Sequence, residues 1–203
     1  MVSGNTAASF DSFGIHFPGE GGGILNGMAI AGGKKIGGPT TVSGCTFIGN
    51  SADLGGGIAN FTPLAVTGCT FSTNSAIEGG CIYNSSQGLT VTGCNFSTNS
   101  ATAGGAIYST AFAALNVRGS TFSGNTASDS GGGIYNLGTA TIQECSLSKN
   151  TAGCKGGGIF NGSSGTLAVK DSTVLHNVAP LGADLYNLGA LTLDDSTVGV
   201  IGP

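Results

Sequence analysis

The chain has 203 residues, 39 of them glycine, and only 8% are charged, for a formal net charge of −4. Glycine without a strict Gly-X-Y period, beside only 5 prolines, excludes collagen. A mean hydropathy of +0.25 excludes plain disorder, and six scattered basic residues exclude a nucleic-acid-binding stripe. No apolar run is long enough to span a bilayer, so no membrane insertion is expected. The opening MVSGNTAASF lacks the basic and apolar regions of a signal peptide, so any export signal is expected to have been removed or to lie outside this chain.

In chain order, residues 1–46 read as an irregular first coil in which one GGxI, ending at Ile24, is clear. Segments 9–20 and 27–39 read as loops projecting from one wide coil, or as a degenerate extra coil, and the first reading is favoured. The string AGGKKIGG at 31–38 has no Walker spacing, so it is a poor phosphate-binding signal.

Residues 47–198 then repeat six times. CTFIGNSA, CTFSTNSA, CNFSTNSA, STFSGNTA, CSLSKNTA and STVLHNVA align, placing Phe47, Phe71, Phe96, Phe122, Leu147, Val174 and Val198 in one slot at steps of 24, 25, 26, 25, 27 and 24. A GGxI marker recurs at Ile58, Ile82, Ile107, Ile134, Ile159 and Leu185, followed by an alternating segment such as LAV at 64–66 or LTV at 89–91. Each unit thus holds three short strands with alternating burial and has no room for a helix. One unit cannot bury its apolar face alone, but a stack of copies can. The expected fold is all-β: a single three-sided parallel β-solenoid over 1–203, about 25 residues per coil, right-handed like nearly all parallel crossovers, with residues 199–203 as a tail.

The slots carry roles. The Phe slot, the GGxI isoleucine and residues such as Leu64 and Val66 point inward. Asn50, Asn74, Asn99, Asn125, Asn150 and Asn177 are expected to form one amide ladder at a turn, themselves in left-handed geometry. Asn60, Asn84, Asn136, Asn161 and Asn187 are expected to form a second, with Ser109 in its remaining place. The GGxI glycines supply a sharp bend and close backbone approach.

GGxI paired with FxxN resembles the repeat of polymorphic outer-membrane proteins, the passenger repeats of bacterial autotransporter-type adhesins. The resemblance covers most of 47–198 and implies a right-handed β-helix on a cell surface, with adhesion or display rather than catalysis. The chain departs from that family in having no C-terminal membrane barrel.

Four features of the sequence bear on chemistry. Cys45, Cys69, Cys94 and Cys145 share a slot with Ser120, Ser172 and Ser196. Stacked Cα atoms about 4.8 Å apart would allow a Cys69–Cys94 bridge, but parallel Cβ vectors suit one poorly, so free thiols are expected. Cys81 and Cys154 lie in other slots, too far apart to pair, and no Cys or His spacing suggests zinc or another cofactor. Glu144, Asp171 and Asp195 follow Gly44, Gly68, Gly93 and Gly119 in one slot, with Arg118 and Lys170 beside it. Stacked carboxylates could serve a glycosidase, but no histidine joins them, since His16 and His176 lie elsewhere, and solvated turn residues are the favoured reading. Residues flanking the Phe slot, such as Thr70/Ser72 and Thr121/Ser123, form an outward hydroxyl grid of the kind ice-binding solenoids use. Sequons at Asn60, Asn84, Asn95 and Asn161 are frequent enough in so Asn-rich a chain to arise by chance.

The expected function is a non-enzymatic, extracellular or cell-surface structural and adhesive element, with no catalytic residue. Ice binding and polysaccharide binding or cleavage are the alternatives. The expected partners are other surface molecules or further copies of the chain. Val2 and Asn5 at one end and Val198 at the other fall at the same phase of the coil. In-phase stacking of copies would therefore continue the core and ladders into a head-to-tail filament.

Overall fold

The computed structural model describes residues 1–6, 10–12, 15–17, 19–29, 35–36 and 40–203, and no helix occurs among them. Three parallel sheets run side by side along one axis, of eight, seven and eight strands. The Phe sheet contains Thr46–Ile48, Thr70–Ser72, Asn95–Ser97, Thr121–Ser123, Ser146–Ser148 and Thr173–Leu175, flanked by Val2–Ser3 and Thr197–Val198. The Ile sheet runs from Ile24–Asn26 through Ile58–Asn60 to Leu185–Asn187. The Leu/Val sheet runs from Thr40–Ser43 through Leu64–Thr67 to Ala190–Asp194. The molecule is a β-solenoid of about 25 residues per coil.

Register explains the sequence periodicity. Phe71 pairs with Phe47 and Phe96, and Phe96 with Phe122. Their rings lie 4.7, 4.8 and 4.6 Å apart within 6° of parallel, and all four are fully buried. Ring stacking adds about 0.5–1.5 kcal/mol per pair to the area buried. Ile58, Ile82, Ile107, Ile134 and Ile159 form a second file, and Val66, Val91, Val117, Ile142 and Val169 a third, closing one continuous core.

Two glycines of GGxI do different work. Gly55 has a φ of 62°, where a Cβ would strike the Ile58 carbonyl. Gly56 has an ordinary φ, but its Cβ would meet the Gly80 and Ser75 carbonyls of the next coil.

The left-handed positions differ from expectation. The ladder asparagines do not adopt them; the residue before each does, namely Gly49, Thr73, Thr98, Gly124, Lys149 and His176. The reversal precedes the asparagine, which frees its amide to turn inward along the axis. A fourth ladder, unmarked by any apolar alternation, joins Ser100–Ala103, Thr126–Ser130 and Thr151–Ala152 between the Asn slot and GGxI.

The first coil passes through Val2–Ser3, Ile24–Asn26 and Thr40–Ser43, each paired with the next coil. Between these strands lie two antiparallel pairs, Phe10–Ser12 with Ile15–Phe17 and Met28–Ala29 with Lys35–Ile36. Residues 9, 13–14, 18, 30–34 and 37–39, which include most of AGGKKIGG, lie outside the described residues, as does the side chain of His16. Residues 199–203, expected as a tail, instead supply Ile201–Gly202 to the Ile sheet against Leu185 and Tyr186. The short sequence VIGP hid this, because two adjacent apolar residues followed by Gly-Pro show no alternation.

Candidate functional site

The interior is occupied by its own bonding. Asn50, Asn74, Asn99, Asn125 and Asn150 each donate Nδ2 to the Oδ1 of the next ladder residue at 2.8–3.1 Å. Their second Nδ2 proton goes to a carbonyl of the preceding coil, as from Asn74 to Phe47 and from Asn99 to Phe71. Each Oδ1 also accepts the backbone N–H of the asparagine before it, as Asn99 does from Asn74 at 2.9 Å. Asn5 joins at one end, donating to Asn50. At the other, Asn177 donates to Asp184, a buried residue that the sequence did not single out. Asp184 stands where Gly133 and Gly158 stand in earlier coils, which disguised it as a motif irregularity.

The second ladder bonds Asn26 to Asn60, Asn60 to Asn84, Asn84 weakly to Ser109 at 3.4 Å, Asn136 to Asn161 and Asn161 to Asn187. The Cys/Ser slot is a third. The Cys45 N–H donates to Cys69 Sγ, Cys69 to Cys94 Sγ, Cys94 to Ser120 Oγ and Cys145 to Ser172 Oγ, at 3.0–3.3 Å. All six cysteines are free. Burial pushes the Cys69, Cys81 and Cys145 thiols up, and Cys94 to about 11, so they stay protonated and inert.

Function therefore falls to the outer surface. Glu144, Asp171 and Asp195 occupy left-handed turn positions, with φ of 54°, 47° and 45°, where earlier coils have glycine. All three are exposed, and Glu144 is held by both Arg118 Nε and Nη2 at 3.2 and 2.8 Å. No described residue covers them, so all three stand in water. His176 is likewise an exposed turn residue.

The hydroxyl grid is in register: Thr46, Thr70, Asn95, Thr121, Ser146 and Thr173 form one file, and Ile48, Ser72, Ser97, Ser123, Ser148 and Leu175 the other. Among the sequons, Asn60, Asn84 and Asn161 are wholly buried in the second ladder, whereas Asn95 is exposed. Val2 and Val198 both lie in the Phe sheet, against Phe47 and Val174.

A second aromatic file is not evident from the sequence pattern, although one aromatic sits between the Ile and Asn slots of most coils. Tyr83, Tyr108, Tyr135, Phe160 and Tyr186 stack on the outer face of the Ile sheet with centroids 4.5–5.9 Å apart and interplanar angles of 4–21°. The ring faces are used by each other, so the file shows edges and phenol hydroxyls to solvent. Burial and then Glu78 push the Tyr83 and Tyr108 phenols up; burial and then Asp129 do so for Tyr135. Lys155 Nζ lies 5.1 Å from the Tyr186 ring centre. No cluster of His, Cys, Asp or Glu among the described residues could hold a metal.

The family model of the Chlamydia polymorphic membrane protein repeat matches residues 119–137 and 144–162. Each match runs from the turn before the Phe slot to three residues beyond the GGxI isoleucine, with FxxN at 122–125 in the first and Leu147 in place of the phenylalanine in the second. No curated protein and no solved structure matches the chain.

Proposed function

We propose that this chain, built of polymorphic-membrane-protein-type repeats, is a rigid cell-surface rod that acts in structure and adhesion without catalysis. One observation carries the reading. Nearly all polar groups of the three ladders are spent on neighbouring coils, and the stacked carboxylates lie open on turns, so what remains for partners is a long, regular, nearly uncharged outer surface. Such surfaces recognise through many weak contacts in parallel rather than one deep pocket. No described helix is long and apolar enough to cross a membrane. Self-association fits the same reading, because Val2 and Val198 share a slot and a copy stacked in phase would continue the Phe sheet.

Latex beads coated with the purified chain test this against epithelial monolayers. Adherence above beads carrying an inert protein, with no release of reducing sugar from polysaccharide substrates, is expected. Adherence no better than the control, or sugar release abolished in a Glu144→Gln/Asp171→Asn/Asp195→Asn variant, would overturn it.

A further inference from the structure

We propose that the outer face of the Leu/Val sheet carries a binding site for one unit of a neutral glycan chain, with Phe112 as its platform. A depression of about 180 Å3 lies at the leading ends of Leu89–Thr92, Ala114–Arg118 and Thr139–Gln143, and its polar side chains are Gln87, Thr90, Asn116, Thr139 and Thr141. Register fixes the floor: Thr90 pairs with Asn116, and Asn116 with Thr141. Leu115 and Val117 point inward, so Asn116 points out. Beyond these three the same row continues as Ala65 on one side and Ala168 on the other, which offer no hydrogen-bonding group. Alanine thus bounds this row of three polar side chains on both sides.

The chemistry of the lining selects the ligand. Its polar side chains are hydroxyls and carboxamides, which both donate and accept, and none is charged. None of those of Gln87, Asn116, Thr139 and Thr141 has a hydrogen-bond partner among the described residues. That set matches sugar hydroxyls and gives no grip on a carboxylate, sulfate or phosphate. The nearest cation along that strand, Arg118, is already paired with Glu144. The cavity is smaller than the about 300–1,000 Å3 of sites that enclose a whole small molecule, which suits one sugar unit of a longer chain.

Phe112 is the independent observation. It is 87% exposed and lies two residues before Ala114, which lines the depression. Phe112 does not itself line the depression, but an exposed phenyl ring two residues from a lining strand is free to offer its face to the apolar C–H face of a pyranose. The stacked tyrosines of the Ile sheet cannot do this, because their faces are occupied.

The inference deepens the adhesive reading and rests on it, and the test separates the two. Cellopentaose, maltopentaose, laminaripentaose and xylopentaose are titrated into the purified chain by calorimetry, beside the bead assay. Binding of at least one is expected, weakened about tenfold by Phe112→Ala or Asn116→Ala and unchanged by Ser97→Ala on the Phe sheet. Both residues are exposed, so the variants should melt with the parent, which circular dichroism checks. No binding of any of the four up to about 10 mM, or binding indifferent to both substitutions, overturns the site. Adherent beads with no oligosaccharide binding would sink the site and leave the adhesive reading. Oligosaccharide binding that both variants weaken, on beads that do not adhere, would sink adhesion and leave the site.

Discussion

Asn177 delivers both its backbone N–H and its Nδ2 to one oxygen, Asp184 Oδ1, at 2.9 Å each, while Asp184 Oδ2 takes the Val200 N–H at 2.8 Å. A carboxylate thus does for the last rung what the next asparagine does for every other. Asp184→Ala leaves buried donors unmatched and should cost about 3 kcal/mol. Asp184→Asn, which keeps an acceptor oxygen, should cost about 1 kcal/mol. Urea unfolding midpoints of the two variants check the order, and an equal loss in both would refute this role.

Ser109 faces Asn136 in register, yet Asn136 Oδ1 is buried with no hydrogen-bond partner. Serine is too short to carry the second ladder across that step. Ser109→Asn should supply the missing donor and an acceptor for Asn84, raising stability by about 1 kcal/mol. A thermal melt decides it: a lowered midpoint would mean that the larger side chain does not fit.

The fold was legible because stacking repeats every inward choice once per coil: Phe71, Phe96 and Phe122 announce one file, Ile82, Ile107 and Ile134 another. Asp184 was not legible, since its role appears only where a ladder stops and an acid takes a glycine's place. The outward tyrosines were not legible as a file because alternation assigns Tyr83 to the solvent side, and only the parallel register turns such residues into a stack. The depression at Asn116 joins three coils, so no single stretch of sequence displays it.

The six free cysteines make a chemical prediction. Cys69, Cys81, Cys94 and Cys145 are buried, whereas Cys154 is exposed and Cys45 partly so. A thiol reagent at neutral pH should label Cys154 and, more slowly, Cys45, and reach the other four only in denaturant. Mass spectrometry of labelled peptides reads this, and rapid labelling of Cys94 in the native protein would contradict it.

Glu78 should set a pH dependence. Burial raises its carboxyl above the ordinary 4.5, so the folded chain holds that proton more tightly than the unfolded one. Stability from this group is intact at low pH, declines as pH rises from 4.5 through the folded value, and stays reduced at neutrality. Glu78→Gln should therefore melt higher than the parent at pH 7 and equal to it near pH 3. A variant less stable at pH 7 would show that the carboxylate is favourably bound.

Everything proposed for the surface depends on coils locked in register by the asparagine ladder. The side-chain Nδ2 protons of Asn74, Asn99, Asn125 and Asn150 test that most directly, because each group has both protons bonded, one to the next asparagine and one to a preceding coil's carbonyl. Hydrogen exchange by NMR should find them persisting in D2O until the whole chain unfolds, while the exposed amide of Asn95 exchanges at once. Ladder amides that exchange as fast as Asn95 would contradict the stacked, in-register rod.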